Sequence, residues 1–347
     1  MLSRVIVLLL MIIALFQSKV KGEYATIFIY HRFDDVRYPS TSVSLEDFEK
    51  ELKFLKENNY NVISLKELYD IISKKGKIPP KTVVITIDDG YKSTIKAFRL
   101  LKKYNFPFTV FLYMEAIDRY PDFLTLKQIE EIKKYPKASF GNHLYSHKDL
   151  AKLRVHLNEK EYLNFLKREL ALSENKFIKI FGRKPEFLAF PYGSYDRISV
   201  SFFKRKGYKL LLTQDRGNYD GKSLLAPRMA LVGGLSRFKN FKRYLNIEPL
   251  PIKEQYPPYG LLEKNPTKIY FNLTNGKNYK NCSIYVSEYG WLKVKRYKDT
   301  VITANDVDFR KLKNRIGIRC FNIKSGKLAE HFFLVIKAPQ GGRRVLR

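Results

Sequence analysis

The chain has 347 residues, of which 45% are hydrophobic and 14% aromatic, and it carries a formal net charge of +31. This length predicts two domains, and the apolar content excludes an intrinsically disordered chain. The lysines are spread along the whole chain without a basic arm or a nucleic-acid motif, so we expect no nucleic-acid partner. We interpret the charge as a general lysine bias, with binding to an anionic envelope surface as the alternative.

Residues 1–22 have the pattern of a secretory signal peptide. A basic start at Arg4 precedes an apolar run from Val5 to Phe16 and a short polar exit. The apolar run is shorter than a typical membrane span. We therefore expect a secreted or periplasmic, cell-envelope protein, with an uncleaved N-terminal anchor as the alternative.

Residues 23–245 alternate between strand and helix patterns. Strands are predicted at 26–30, 61–63, 82–87, 108–112, 138–141, 187–190 and 209–213. Helices are predicted after the capping residues Ser44, Ser64 and Thr125, and near 91–104, 158–180 and 197–206. Such alternation predicts parallel strands with right-handed crossovers. Polar residues follow the carboxyl ends of several strands, and a barrel would bring them to one rim, so we predict an α/β barrel.

Two adjacent carboxylates end the most apolar of these strands. Asp88 and Asp89 follow Thr82–Ile87, at the strand end where α/β folds build active sites. Successive side chains on an extended backbone point in different directions, so one carboxylate can bind a metal while the other acts as a base. An ordinary Asp-Gly turn is the alternative interpretation.

Two histidines follow the strand predicted at 138–141. His143 and His147 stand four residues apart in one loop. With a carboxylate from a distant strand, they form a set that suits a divalent metal with open positions for water and substrate. No Glu follows His143, which excludes the zinc-protease helix motif. Two solvent-facing loop histidines are the alternative.

Three segments, TIDDGY, NHLYSH and FAFPYGSYD, occur in this order at predicted strand ends. Their order and spacing resemble those of the polysaccharide deacetylases, the carbohydrate esterases with a NodB-type domain. The segment Ile29–Phe33, which contains His31, resembles the strand-end histidine segment of the branch that acts on poly-β-1,6-N-acetylglucosamine. The resemblance spans about residues 25–235 and implies an irregular (β/α)7-type barrel.

The resemblance also implies a metal site and a substrate. Asp89, His143 and His147 would bind a divalent metal, with Zn²⁺ expected and Co²⁺, Ni²⁺ or Fe²⁺ as alternatives. The substrate would be an N-acetylated polysaccharide. The sequence does not define the glycan linkage, the metal or the oligomeric state.

Further residues receive roles from the same resemblance. Asp88 would be the catalytic base, and Tyr192 would offer its backbone N–H to the oxyanion of the tetrahedral intermediate. Pro191, Tyr192 and Tyr91 would contact the substrate.

The chain departs from the family pattern at two positions. Ala189 stands where the family usually has an Arg, and Arg228 stands where it usually has a general-acid His. Arg228 is expected to pair with Asp88 and keep it ionised, but a guanidinium does not release a proton near neutral pH. The acid would then be His31, protonated Asp88 or water.

The predicted function is metal-dependent removal of N-acetyl groups from an extracytoplasmic N-acetylglucosamine-containing polysaccharide. A non-catalytic glycan-binding protein with a relic metal site is one alternative, and an O-acetyl ester hydrolase is another. An iron-dependent oxygenase also uses two His and a carboxylate, but the second Asp and the α/β alternation fit that class poorly.

The last third of the chain has a different pattern. A proline-rich stretch at 246–266 predicts a linker, and short alternating runs in 267–347 predict a small β-sandwich-like domain. Trp291 and Tyr289 are candidates for glycan contact, although packing is the preferred role for a lone Trp. Cys282 and Cys320 lie in separate strand-like runs, and the pattern leaves open whether they form a disulfide.

Overall fold

The computed structural model describes residues 24–338. The predicted signal peptide, residues 1–22, lies outside the described residues. Within 24–338, no helix combines the length and the hydropathy that a membrane crossing requires.

The first domain is built from the alternating elements that the sequence predicts. Its strands are β1 (Ala25–Tyr30), β2 (Arg32–Phe33), β3 (Ser42–Val43), β4 (Asn61–Val62), β5 (Thr82–Ile87), β6 (Phe108–Leu112), β7 (Ala138–Asn142), β8 (Phe187–Ala189), β9 (Leu210–Leu212), β10 (Leu225–Ala226) and β11 (Met229–Ala230). Its α-helices are α1 (Leu45–Glu57), α2 (Leu65–Ser73), α3 (Thr94–Lys103), α4 (Leu126–Lys133), α5 (Leu150–His156), α6 (Glu159–Phe181), α7 (Arg197–Arg205) and α8 (Phe238–Tyr244).

The helices begin at the residues whose side chains cap them. The Ser44 hydroxyl accepts a hydrogen bond from the Asp47 N–H at 3.0 Å and starts α1. Ser64 and Thr125 each form a capping box at the start of α2 and α4. These bonds satisfy N–H groups that have no partner within the helix, which is why the capping pattern predicted the helix starts.

The main sheet is a parallel barrel, and its two end strands, β10 and β11, define a seam. Its strand order is β10-β9-β8-β7-β6-β5-β1-β11, and β4 also pairs with β5. The outer strands β10 and β11 are consecutive in the chain and are separated only by Pro227 and Arg228. The chain itself therefore joins the two sides of the sheet. If β10 and β11 are counted as one interrupted strand, the path has seven strands around the interior, with β4 as an additional strand beside β5, and the predicted barrel is confirmed.

Side chains of β5 alternate between the outer core and the barrel interior. Val83, Ile85 and Ile87 belong to the core under the helices, whereas Val84 packs in a separate interior cluster. Because side chains alternate along a strand, the inward set continues through Thr86 to Asp88. This alternation directs Asp88 into the barrel mouth.

The second domain consists of two sheets packed on each other. Its strands are β12 (Glu248–Pro249), β13 (Ile252–Tyr256), β14 (Gly260–Leu262), β15 (Tyr270–Leu273), β16 (Tyr279–Val286), β17 (Gly290–Leu292), β18 (Val294–Tyr297), β19 (Thr300–Thr303), β20 (Lys313–Asn322) and β21 (Lys327–Lys337). One sheet has the order β12-β21-β20-β16-β17 with β14 also on β21, and the other has the order β13-β15-β19-β18. This arrangement confirms the predicted sandwich-like domain.

The stretch 246–266, which we expected to be a linker, contains the strands β12, β13 and β14. These strands pair with β15 or β21 and so belong to the two sheets. Proline lacks a donor for a central ladder but is tolerated in short outer strands such as β12, which ends at Pro249. Proline content alone therefore did not distinguish a linker from outer strands.

Two side-chain questions left open by the sequence are answered in the second domain. Cys282 and Cys320 form a disulfide between β16 and β20. Trp291 is 40% exposed, and its ring packs against Tyr285 and under the Arg319 guanidinium, which lies 4.2 Å from the ring centre. Trp291 therefore packs against neighbouring side chains, as preferred, while part of its side chain stays exposed.

Candidate active site

Asp89, His143 and His147 meet at the carboxyl ends of β5 and β7. Oδ1 of Asp89 lies 3.1 Å from Nε2 of His143 and 3.0 Å from Nε2 of His147. One ligand atom from each of the three residues lies within 4.8 Å of the others. A strand end supplies the carboxylate and a neighbouring loop supplies both imidazoles, as the sequence suggested.

The atoms of this cluster fit a divalent cation. The other nitrogen of His143, Nδ1, lies 2.8 Å from the carbonyl oxygen of Ala189, which directs Nε2 toward Asp89. Nε2 of His143 and Oδ1 of Asp89 are both buried without a hydrogen-bond partner. Ligand atoms that share a Zn²⁺ at about 2.0–2.1 Å stand about 3 Å apart, which matches the observed spacing. A bound cation would therefore satisfy both buried atoms.

The loop that carries the histidines is held in a strained conformation. Leu144 and His147 both adopt positive φ, at 62° and 51°. The buried carboxylate of Glu169 on α6 accepts hydrogen bonds from the N–H groups of Tyr145 and Ser146, at 3.2 and 2.8 Å. Non-glycine residues keep such backbone angles only where the surroundings fix them. Glu169 supplies part of that restraint.

Asp88 forms a fully buried ion pair with Arg228. The guanidinium donates two hydrogen bonds of 2.7 Å to the two carboxylate oxygens of Asp88. It also donates to the hydroxyl of Thr86 at 3.0 Å and to the carbonyl of Thr213 at 2.8 Å. Because Arg228 follows Pro227 at the seam, the closure of the barrel places its side chain in the interior opposite β5.

This pairing determines the charge of Asp88. Burial alone would raise the pKa of the carboxyl, but the charge and hydrogen bonds of Arg228, with a contribution from His143, lower the pKa below its usual value. Asp88 is therefore ionised at neutral pH. Burial also opposes the charge of Asp89, yet the adjacent imidazoles of His143 and His147 hold the pKa of Asp89 well below its usual range.

His31 lies beside these charged groups at the end of β1. Its ring atom Nδ1 is buried and has no hydrogen-bond partner. Burial lowers the pKa of His31, although the carboxylates of Asp89 and Asp88 act in the opposite direction. The ring is therefore neutral at rest and has an unused polar atom next to the cluster.

The segment after β8 forms the opposite side of the mouth. Pro191–Gly193 is a short 3₁₀ turn, in which Tyr192 has φ 57°. The Tyr192 side chain is 51% exposed, and its ring centre lies 4.7 Å from that of His147. Pro191 is buried, so Tyr192 is the exposed group that this turn presents at the mouth.

Tyr91 lies beside Asp89 of this cluster. Its ring is covered by the guanidinium of Arg32 at 3.5 Å. Burial and the nearby Asp89 carboxylate raise the pKa of Tyr91 to about 12, so the hydroxyl keeps its proton at neutral pH. Tyr91 thus lies beside Asp89 and Tyr192 beside His147, and their contact with substrate stays a prediction.

The structure adds polar residues that the site prediction did not include. Asp215 follows β9, and its carboxylate accepts a hydrogen bond from the Tyr195 hydroxyl. Its backbone carbonyl accepts a hydrogen bond of 3.0 Å from the N–H of Arg228. Its position after a strand was visible in the sequence. Glu169 in the middle of a helix and Arg315 in the second domain offered no comparable signal, because only the fold brings them to the site.

Comparisons with known proteins agree with this architecture. Residues 75–211 match the sequence profile of the family described as polysaccharide deacetylase. YxkH of Bacillus subtilis, named a polysaccharide deacetylase, is 27% identical over 192 residues, which cover 55% of this chain and 64% of that protein. Poly-β-1,6-N-acetyl-D-glucosamine N-deacetylase of Staphylococcus aureus is 28% identical over 195 residues, which cover 54% of this chain and 67% of that protein.

A solved structure supports the fold. IcaB from Ammonifex degensii superimposes with a TM-score of 0.57 at 22% identity, covering 65% of this chain and 97% of that chain. The chain spans about two thirds of the length of the curated relatives that it matches. The barrel domain is therefore similar in sequence to the polysaccharide deacetylase family, and its fold is similar to that of IcaB.

Proposed function

We propose that this chain is a metal-dependent hydrolase that removes N-acetyl groups from an N-acetylglucosamine-containing polysaccharide outside the cytoplasm. The observation that carries the proposal is the convergence of Asp89, His143 and His147 beside the buried, ionised Asp88. A binding module has no use for an ionised base next to a metal site. The named activity of the Staphylococcus aureus relative supports the choice of substrate.

The reaction requires an activated water, stabilisation of an oxyanion and a proton for the departing amine. A divalent metal held by Asp89, His143 and His147 would supply Lewis acidity toward water and the acetyl carbonyl. Asp88 would accept a proton from the attacking water through a carboxylate oxygen. Arg228 keeps that carboxylate ionised and fixes its position by two hydrogen bonds.

Two further residues would act on the acetyl group and the leaving amine. The backbone N–H of Tyr192 would donate a hydrogen bond to the developing oxyanion. His31 would protonate the amine in its imidazolium form, which the charges of Asp89 and Asp88 favour, or would orient the substrate through its Nδ1, which is buried without a hydrogen-bond partner. Arg228 is excluded as the acid because a guanidinium does not deprotonate near neutral pH.

An extracytoplasmic location is part of this proposal. The apolar segment at 5–16 supports export, and the disulfide between Cys282 and Cys320 suits an oxidising compartment. A glycan polymer of the cell envelope would be accessible there.

The function is tested by incubating the Zn²⁺-loaded protein with β-1,4- and β-1,6-linked N-acetylglucosamine oligomers and measuring released acetate. We expect release from at least one oligomer, with none from the metal-free protein. Acetate release from an O-acetylated glycan alone would instead establish an ester hydrolase. Oligomer binding without any release would establish a glycan-binding protein and contradict the proposal.

A further inference from the structure

Arg315 extends from β20 of the second domain to the barrel mouth. Its guanidinium donates hydrogen bonds to the carbonyl oxygens of Tyr192 at 3.3 Å and of Gly193 at 2.9 Å. The same guanidinium forms an ion pair with Asp215, whose backbone carbonyl accepts the N–H of Arg228. One side chain therefore connects the second domain both to the turn that carries Tyr192 and to the strand end behind Arg228.

Lys313 lies two residues earlier on the same face of β20. Its Nζ is 2.6 Å from Oδ2 of Asp149 and 3.4 Å from the hydroxyl of Ser194. It also lies 5.7 Å from the ring centre of Tyr192. Asp149 caps α5 directly after the histidine loop. Lys313 and Arg315 thus contact the two segments that border Asp89, His143 and His147. These are the start of α5 after the histidine loop and the turn that carries Tyr192.

The turn that they contact requires such restraint. Tyr192 has φ 57°, and a non-glycine residue in this region costs roughly 1–3 kcal/mol. Gly193 has φ 56°, and a Cβ atom there would lie 2.5 Å from Cβ of Gln214 and 2.7 Å from the Arg315 guanidinium. The backbone is therefore strained at one residue and tightly enclosed at the next. Arg315 donates hydrogen bonds to the carbonyl oxygens of Tyr192 and Gly193 and supplies one of the atoms that enclose Gly193.

We infer that Arg315, assisted by Lys313, is a positioning residue that aims the Tyr192 backbone N–H at the oxyanion. The second domain is then a structural part of the active site. This inference rests on the proposed deacetylase function for its catalytic consequence, but the restraint of the turn is independent of the reaction.

The test compares Arg315→Ala with Arg319→Ala. Arg319 lies on the same strand and face but contacts Glu330 and Trp291. An oxyanion donor acts in the transition state, so Arg315→Ala should lower kcat by about 10- to 100-fold and leave KM within about twofold. Metal content should stay unchanged, and Arg319→Ala should retain kcat. An unchanged kcat, or a rise in KM alone, in folded Arg315→Ala would overturn the inference.

Hydrogen–deuterium exchange provides a readout that does not require activity. Amides of the 190–195 segment should exchange faster in Arg315→Ala than in the wild type or in Arg319→Ala. Arg315→Lys retains the charge opposite Asp215 but not the two-carbonyl contact, so its exchange should be intermediate, and this variant serves if Arg315→Ala does not fold. Equal exchange in all variants would refute the restraint. A wild type that releases no acetate would refute the proposed function, and exchange alone would then decide the inference.

Discussion

Asp88 and Asp89 are neighbours in sequence, but their side chains have different direct partners. Asp88 points into the barrel and binds Arg228 through both oxygens, whereas Asp89 faces the two histidines. The alternation of side chains along β5 and the turn at Gly90 produce this division. Two like charges therefore coexist because each has its own positively charged or hydrogen-bonding partners.

This division predicts different results for the two isosteric substitutions. Asp88→Asn should retain bound metal and lose nearly all acetate release, because it removes the base without removing a ligand. Asp89→Asn should lose metal. Elemental analysis of the purified variants, together with acetate assays, measures both effects. The assignment would be reversed if Asp88→Asn lacked metal and Asp89→Asn retained it.

His31 is predicted to act as the acid in the same reaction. His31→Ala should lower turnover by about 10²–10⁴-fold and leave metal content unchanged. Burial places the pKa of His31 below 6.5, so wild-type turnover should decline as the pH rises through that pKa, because the acid loses its proton. The pH–rate profile of His31→Ala should lack this alkaline decline. Undiminished turnover would leave protonated Asp88 or solvent as the proton donor.

At the scale of elements, the sequence predicted most of the barrel. Capping residues predicted where α1, α2 and α4 begin, and the apolar patterns predicted the strands β5 and β6 to the residue. The short strands β10 and β11 were missed, since two-residue pairings leave no periodic pattern. The helix α5 was missed as well, because it is short and directly follows the histidine loop.

The candidate site shows the same limit. Residues at strand ends were predictable because parallel strands bring their carboxyl ends together. Contacts such as Glu169 to the histidine loop, or Arg315 to Tyr192, join residues 23 or more positions apart in sequence. No local pattern encodes such contacts, so only the three-dimensional packing reveals them.

At the scale of the whole molecule, a partly buried histidine links stability to pH. The partly buried His331 lines a cavity between the barrel and the second domain, its Nε2 lies 2.8 Å from the Gln255 side chain, and desolvation lowers its pKa to about 4. Below pH 6.5 the unfolded chain binds a proton at this residue that the folded protein does not, so stability falls as the pH drops toward 4.

The corresponding experiment uses His331→Gln, which removes the titrating group and keeps a polar side chain. Between pH 7 and pH 4 the wild type should lose roughly 1–3 kcal/mol more unfolding free energy than the variant. Urea denaturation at several pH values measures this difference. Parallel pH curves for the two proteins would show that His331 does not contribute.

The seam of the barrel affects how readily the chain associates with other copies of itself. The outermost strands of an open sheet present unpaired N–H and C=O groups that recruit other chains into aggregates. Here those strands, β10 and β11, are two residues long and are linked through Pro227, which has no N–H to offer. The seam therefore gives neighbouring molecules almost no template for strand addition, and this protection would matter most where the chain folds at high local concentration.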